Sequence, residues 1–425
     1  MFRRHWSGLP KDPIFPSTLE GLGYFINEDD EIRSIERPDC YFKYLIDRNE
    51  RINRRQRFHF NLAMEDVTLQ RLEDEGMQRL ALPLGTSSDQ PHVPVFVSPD
   101  IALKERVVLI VTDTTQSLGM LSGRVAAGPG GLTKGTAISL IRTIKHHLPD
   151  AGIVLANPGA PHWWPQGKRS ISAFQADAAP LSSLVSFGRR MNEAVNRVEG
   201  QASEMEHLSG VFEMMERREV RISVLGVEKG AELVERFLDG KQAWERWGEK
   251  LEGMVLFGTY LDADWMHNEA FKAFLAKRCR AYALSSEPLD TPLSTPRGNP
   301  DISFPALGLP VYSSSEDTCS ELIAIKAQKA SVAYLAEVAR CEDYANPEVV
   351  PVVRENLGIV GEEEEQGGRS AWDQVREEDK PVVEVVDESV LRELRMWDRW
   401  EETGEAEEDW GAKEDGEVRG AAPAA

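Results

Sequence analysis

Gly226 and Gly230 flank Glu228 at a point where an apolar run, residues 222–225, gives way to a helical pattern. A sharp turn from a strand into a helix needs such glycines, because neighbouring segments pack closely around it. The turn presents its central side chain above a sheet, and in hydrolases built this way that residue is a nucleophilic serine. Here Glu228 stands in its place, so the pattern predicts a nucleophile elbow that lacks its serine.

Glu228 also has a simpler explanation, because a glutamate in the first turn of a helix is favoured by the helix dipole. Carboxylates do serve as nucleophiles. Hydrolases that use one still need a histidine, which in the hydrolase chain order comes last, after the final strand. The last histidine of this chain is His267, before the last two predicted strands. We therefore expect Glu228 to be non-catalytic.

Thr112 and Asp113 follow an early apolar run, residues 107–111, where many hydrolases carry the loop that binds an oxyanion. A carboxylate at this place opposes the stabilisation of negative charge. Nucleophile, base and oxyanion loop are thus all expected to be degenerate. We expect no cofactor or metal, since the histidines and the four cysteines lack metal-ligand spacing.

Short apolar runs alternate with helical patterns through the middle of the chain. The runs predict strands at 107–111, 153–156, 222–225, 254–257, 281–284 and 309–312. Strands separated by helices predict a mostly parallel sheet with helices on both faces. Together with the elbow, this indicates an α/β fold, an α/β-hydrolase-like three-layer sandwich.

Three stretches between these elements are predicted to be loops. They are residues 112–136, 159–180 and 285–308. The glycine-rich part of the first, residues 128–136, superficially resembles a phosphate loop. It lacks the required spacing and lies well past the strand, so we interpret it as a flexible loop.

The chain divides into three regions. Residues 1–100 are predicted to hold a β-hairpin and one or two helices over 47–75, packed on a core at 101–342. Residues 343–425 are predicted to be an acidic, mostly disordered tail. Between Gly361 and Gly420 there are 22 acidic and 8 basic residues, a net charge of −14 out of the chain's −22.

Two segments are candidates for contacts with partners. Arg51, Arg54 and Arg55 belong to a basic helix pattern that either contacts RNA phosphates or is neutralised by local acids. In the tail, a short helix at 388–400 would present Leu391, Leu394 and Trp397 on one face. Such a helix either docks on a partner or on this domain, or it forms only transiently and has no partner.

Composition bounds the cellular setting. No apolar run is long enough for a membrane span, and unpatterned cysteines favour a reducing compartment, the nucleus or cytoplasm. The acidic tail repels nucleic acid and suits basic partners such as histones.

Residues 12–340 resemble the fungal Argonaute-binding-protein-two domain family, which also occurs at the C-terminus of fungal class II histone deacetylases. The resemblance is carried by residues 22–27, 30–33, 42–44, 72–77, 107–111, 157–159 and 226–230. It implies an α/β-hydrolase fold and association with heterochromatin or small-RNA silencing complexes, with subunits of Argonaute or histone-deacetylase complexes as partners.

Several members of that family keep a serine at the elbow, whereas this chain has Glu228. We therefore interpret the chain as a pseudoenzyme that acts as a scaffold. The alternatives are an active esterase-like hydrolase with a glutamate nucleophile and an RNA-binding accessory protein.

Overall fold

The structure is a computed structural model that describes residues 11–181, 183, 192–216 and 219–351. Its strands are β1 (Tyr24–Ile26), β2 (Ile32–Ser34), β3 (Gln78–Leu82), β4 (Val93–Val97), β5 (Arg106–Val111), β6 (Gly152–Ala156), β7 (His162–Trp164), β8 (Arg169–Ile171), β9 (Arg221–Val227), β10 (Leu251–Phe257), β11 (Cys279–Ala283), β12 (Pro292–Ser294) and β13 (Val311–Ser313). The helices are α1 (Glu50–Asp74), α2 (Gly123–Ala126), α3 (Leu132–Gly135), α4 (Ala137–His147), α5 (Ala173–Ala178), α6 (Glu193–Asn196), α7 (Glu204–Met214), α8 (Lys229–Asp239), α9 (Lys241–Trp247), α10 (Glu269–Arg278) and α11 (Ile323–Arg340). Contacts group the chain into two units, Met1–Glu355 and Asn356–Ala425, and all of these elements belong to the first unit.

Nine strands form one central sheet in the order β12-β13-β11-β10-β9-β5-β6-β4-β3. The six strands from β13 to β6 run parallel to one another. Strand β4 is antiparallel to both of its neighbours, and β12 is antiparallel to β13. Counted from the β3 edge, this order with its antiparallel second strand, β4, is that of an α/β-hydrolase sheet. The predicted fold class is therefore confirmed.

The sheet is buried on both faces, as continuous apolar strands require. In β5, Val107, Leu109 and Val111 face a core shared with α7, α8, α9 and α10. Val108 and Ile110 point the other way, into a core shared with α4, α11 and the end of α1. The alternation follows the two-residue period of a strand and gives three layers.

The N-terminal hairpin packs on the loop that follows β5, and this corrects the expectation of a flexible loop at 128–136. The carboxylate of Asp30 accepts a hydrogen bond from the Thr133 amide at 2.7 Å, and its carbonyl accepts one from the Leu132 amide at 2.9 Å. A Cβ on Gly131 would lie 2.6 Å from that carbonyl oxygen. The stretch contains α3, and the hairpin accepts hydrogen bonds from the amides of its first two residues.

Strands β3 and β4 were not identified from the sequence, although they complete one edge of the central sheet. Two stretches interpreted as loops also contain regular elements. Residues 159–180 include the β7–β8 hairpin and α5, and residues 285–308 include β12. A single helix, α1, fills the region where one or two were predicted, and it ends before Gly76, whose φ is 80°.

Within the described ranges, no helix is both long and apolar enough to cross a membrane. The predicted helix at 388–400 and residues 352–425 of the predicted tail lie outside the described residues.

Candidate functional site

Glu228 links β9 to α8 in a strained turn. Its φ is 53° and its ψ is −125°, a combination that costs a residue with a Cβ about 1–3 kcal/mol. A Cβ on Gly226 would lie 2.7 Å from the Cα of Ala231, and a Cβ on Gly230 would lie 2.6 Å from the carbonyl oxygen of Val111. Both glycines are required by this packing, and the turn has the geometry of a nucleophile elbow with a carboxyl group at its tip.

The Glu228 side chain lies across the end of β10 and reaches toward the segment before α11. A Cβ on Gly258 would come within 3.2 Å of its carboxyl carbon, so the glycine leaves the space that the carboxyl group fills. Ser320 donates a hydrogen bond to the carboxylate. The Oε1 atom is buried and has no hydrogen-bond partner among the described residues.

Burial raises the pKa of Glu228 to about 7. The hydrogen bond from Ser320 acts in the opposite direction, and the negative charges of Asp113, Glu321 and Glu232 add to the rise. Desolvation and like charges both disfavour the ionised form. The site therefore holds a carboxyl group that titrates near neutral pH.

The turn after β13, where a hydrolase would place its histidine, holds residues 314–316. Ser314 Oγ donates to the carbonyl of Ala283 at 2.8 Å, and Glu316 pairs with Lys326 at 2.7 Å. The hydrogen bond from Lys326 is the main reason that the pKa of Glu316 falls to about 2. These polar groups are bonded within the fold, and there is no histidine among residues 314–316.

Thr112 and Asp113 lie beside the elbow, as their position after β5 predicts. Thr112 is buried, and its carbonyl oxygen faces Gly230. The two carboxylate oxygens of Asp113 accept hydrogen bonds from the amide and hydroxyl of Thr115, each at 2.9 Å. Asp113 thus adds a negative charge next to Glu228 where an oxyanion site would need donors.

The structure places the three arginines that were predicted to form one interaction face in different environments. Arg51 and Arg55 each bind Asp12 through Nε at 2.7 Å, and the Asp12 side chain is fully buried. Arg55 is itself buried, which corrects the idea of a continuous basic face. Arg54 faces solvent, with a weak contact of 3.9 Å to Glu50.

Two buried titratable side chains were missed from the sequence. Thr259 donates to Glu235 at 2.5 Å, and burial raises the pKa of Glu235 to about 8. Glu235 lies among the apolar positions of α8, so its helical spacing alone would have placed it on the buried face of that helix. His207 accepts from the Asn157 amide at 2.9 Å, and burial lowers its pKa to about 3, so it is a neutral structural residue.

The neighbours of the elbow, Ser320, Glu321 and Tyr260, were also missed. Ser320 and Glu321 lie in a short 3-10 helix directly before α11, and Tyr260 lies in the segment after β10. Across the described ranges, no group of three or more histidine, cysteine, aspartate or glutamate side chains is arranged to hold a metal.

The sheet order and the elbow define an α/β-hydrolase-type domain whose nucleophile position is a glutamate. The family model for the Arb2 domain matches residues 15–289, and the chain belongs to that family. This confirms the resemblance to the Argonaute-binding-protein-two domain. No curated protein matches the chain.

Replacement of Glu228 by glutamine is expected to stabilise the protein at pH 8 by about 1–2 kcal/mol, after allowance for partial solvent exposure. Because its folded pKa is raised, the residue's contribution to stability is fully present below about pH 4.5 and is lost as the pH rises through about 7. Urea unfolding at pH 4.5 and 8 measures this. Glu249→Gln, at an exposed glutamate, is the control; an equal gain at both pH values would contradict the prediction.

Proposed function

We propose that this protein is a non-catalytic scaffold subunit of Arb2-domain type that acts in heterochromatin or small-RNA silencing complexes. Its partners are subunits of Argonaute or histone-deacetylase complexes, and it works in the nucleus or cytoplasm. The family membership supports the association, and the geometry at Glu228 supports the absence of catalysis.

The turn after β13 is the observation that carries the non-catalytic part of the proposal. The place of a base holds Ser314 and Glu316, both bonded within the fold, and the elbow carboxyl is bonded to Ser320. A triad needs a nucleophile hydrogen-bonded to a base and a base oriented by a third group. A serine hydroxyl hydrogen-bonded to a carboxyl group provides neither a base nor a group that orients one.

Affinity purification of the tagged full chain from its own cells tests the scaffold role. Argonaute or histone-deacetylase subunits should co-purify at stoichiometric levels, and Glu228→Gln should leave their recovery unchanged. Absence of both classes of subunit would contradict the proposal.

A hydrolase with Glu228 as nucleophile is the second candidate, and the strained elbow favours it. Strain of this kind persists where a side chain must be presented in a fixed position. In that mechanism the Glu228 carboxylate would attack the acyl carbon of an ester and displace the alcohol, forming a mixed anhydride. Water would then hydrolyse the anhydride, releasing the acid and restoring the carboxylate. Steady turnover of an activated ester, lost in Glu228→Gln, would promote this candidate over the scaffold.

A further inference from the structure

Strand β3 forms one edge of the central sheet, and two of its residues point their main-chain groups outward. Residues along an antiparallel strand direct their N–H and C=O groups alternately to one side and the other. The Ser98 amide donates to the Ile153 carbonyl of β6 at 2.8 Å, so Phe96, two residues earlier, also faces β6. Phe96 opposes Arg79 in the register of β3 with β4. Arg79 and, two residues further on, Ala81 therefore direct their main-chain groups away from β4.

These outward groups are unpaired within the part of the chain that the structure describes. No hydrogen bond joins the amide or carbonyl of Arg79 or Ala81 to another described residue on that side. Pro94 opposes Ala81, which agrees with this direction because a proline has no N–H to donate to β3. We call the outward main chain of Arg79 and Ala81 the β3 edge. Groups of this kind are a template for pairing with another extended chain.

The two edges of the central sheet differ in how well they are protected. Strand β12 has three residues, begins with Pro292 and shifts its register before Ser294. Strand β3 has five residues and pairs with β4 without a shift. Its one charged side chain, Arg79, folds back to pair with Glu73 at 2.9 Å, and its guanidinium carbon lies 5.6 Å from the ring centroid of Phe96. Edges are normally blunted by charges, prolines or bulges, so the open β3 edge indicates a pairing site.

A cavity of about 330 Å³ beside β3 gives the side chains of a paired segment a place to pack. It is lined by Leu80 and Ala81 of the strand and by Leu84 of the connection to β4. Leu84 is 60% exposed. A residue paired opposite Leu80 would share its face of the sheet. An apolar side chain at that position therefore finds two leucines to contact.

We propose that the β3 edge binds an extended segment of a partner protein, which adds a strand to the central sheet. The main chain of the segment exchanges hydrogen bonds with Arg79 and Ala81, and an apolar side chain opposite Leu80 packs on Leu80 and Leu84. The side chains on either side of it are polar, because they lie on the other face beside the ion pair of Arg79 with Glu73. The proposal rests on the scaffold function and names the chemistry of one of its contacts.

A second copy of this chain fits the β3 edge less well. Two β3 strands paired around Leu80 would share about four main-chain hydrogen bonds over about 7 Å of strand. Stable interfaces between folded proteins bury about 1,200–2,000 Å², so this contact alone does not hold a dimer. Each copy also has a net charge of −22, and two copies repel each other at long range. For the same reason, the partner's segment is neutral or basic.

Fluorescence anisotropy with the full-length protein tests the proposal. The probe is a labelled seven-residue peptide that alternates threonine with valine between two terminal lysines. With a valine opposite Leu80, the threonine amides face β3 and the valine amides face away. N-methylation of the threonine amides should weaken binding about tenfold or more, equivalent to about 1.4 kcal/mol. N-methylation of the valine amides is the matched control, and it should change binding by less than about twofold, because those amides do not join the ladder.

Two variants of β3 separate main-chain pairing from side-chain contact. Ala81→Pro removes an outward N–H and places a ring on the β3 edge, so it should weaken binding about tenfold or more. An edge strand accepts a proline whose nitrogen faces outward, and the unfolding midpoint checks this. Arg79→Ala keeps the main chain and should change binding by less than about twofold, because the arginine side chain lies on Glu73. If Ala81→Pro does not fold, the two methylated peptides decide the proposal with the wild-type protein.

The proposal is overturned if the unmodified peptide does not bind at concentrations up to about 1 mM, or if the two methylated peptides bind equally. Folded Ala81→Pro that binds like the wild type overturns it as well. Sedimentation of the full chain adds one more reading: self-association that Ala81→Pro abolishes would assign the β3 edge to a second copy and overturn the partner segment. None of these results changes the recovery of complex subunits by the wild-type chain, so the scaffold function is judged separately.

Discussion

Replacement of Asp12 by alanine is expected to destabilise the protein by about 3–5 kcal/mol, because it leaves the buried Arg55 guanidinium without a countercharge. Asp12 accepts hydrogen bonds from Arg51, Arg55 and the Leu181 amide, all between 2.7 and 2.8 Å. The Arg55 side chain is 4% exposed. The guanidinium therefore cannot regain water when the carboxylate is removed. Urea unfolding at pH 7 measures the loss.

The Glu50–Arg54 pair on the same helix is a built-in control. Both side chains are more than half exposed and lie 3.9 Å apart. Exposed pairs contribute about 0–1 kcal/mol, so Glu50→Ala should change stability by less than about 0.5 kcal/mol. If Asp12→Ala and Glu50→Ala had similar effects, burial of the Asp12–Arg55 pair would not determine its contribution to stability.

Replacement of Glu235 by glutamine is expected to change how stability depends on pH. The folded pKa is raised to about 8, so the residue's contribution to stability is fully present below about pH 4.5 and is lost as the pH rises through 8. The free energy of unfolding of Glu235→Gln minus that of the wild type should grow from near zero at pH 4.5 to several kcal/mol, on the order of 3–5, at pH 9. Glutamine can still accept the hydrogen bond from Thr259.

Parallel urea titrations at pH 4.5, 7 and 9 measure that difference. The control is Glu245→Gln, at an exposed glutamate on α9. The control should give the same small difference at every pH. A flat difference for Glu235→Gln would mean that this carboxyl is not protonated within the folded core at neutral pH.

The central strands could be predicted because burial on both faces leaves continuous apolar runs. The edge formed by β3 and β4 could not. Strand β4 contains Pro94, and a proline argues against a strand in the interior of a sheet. In the structure, β4 pairs with β6 only through Phe96 and Val97, so Pro94 lies beyond that ladder and opposes Ala81 of β3.

The elbow could be predicted from residues 226–230 because close packing around the turn requires glycines, and these glycines lie near one another in the sequence. What surrounds Glu228 could not. Ser320 and Tyr260 follow two different strands and come close to the carboxyl group only in the folded chain. No local sequence pattern predicts that proximity. Likewise, Arg51 and Arg55 looked exposed by spacing, because their partner Asp12 lies about forty residues earlier in the chain.

Steady-state hydrolysis of an activated acetyl ester, followed from pH 5 to 9, tests the central claim most directly. Wild type and Glu228→Gln are compared with a buffer blank, and both are checked for folding by their unfolding midpoints. Because the place of the base is filled by Ser314 and Glu316, we expect both proteins to match the blank at every pH. Sustained turnover by the wild type that rises near pH 7, where Glu228 ionises, and is lost in Glu228→Gln would contradict a non-catalytic elbow.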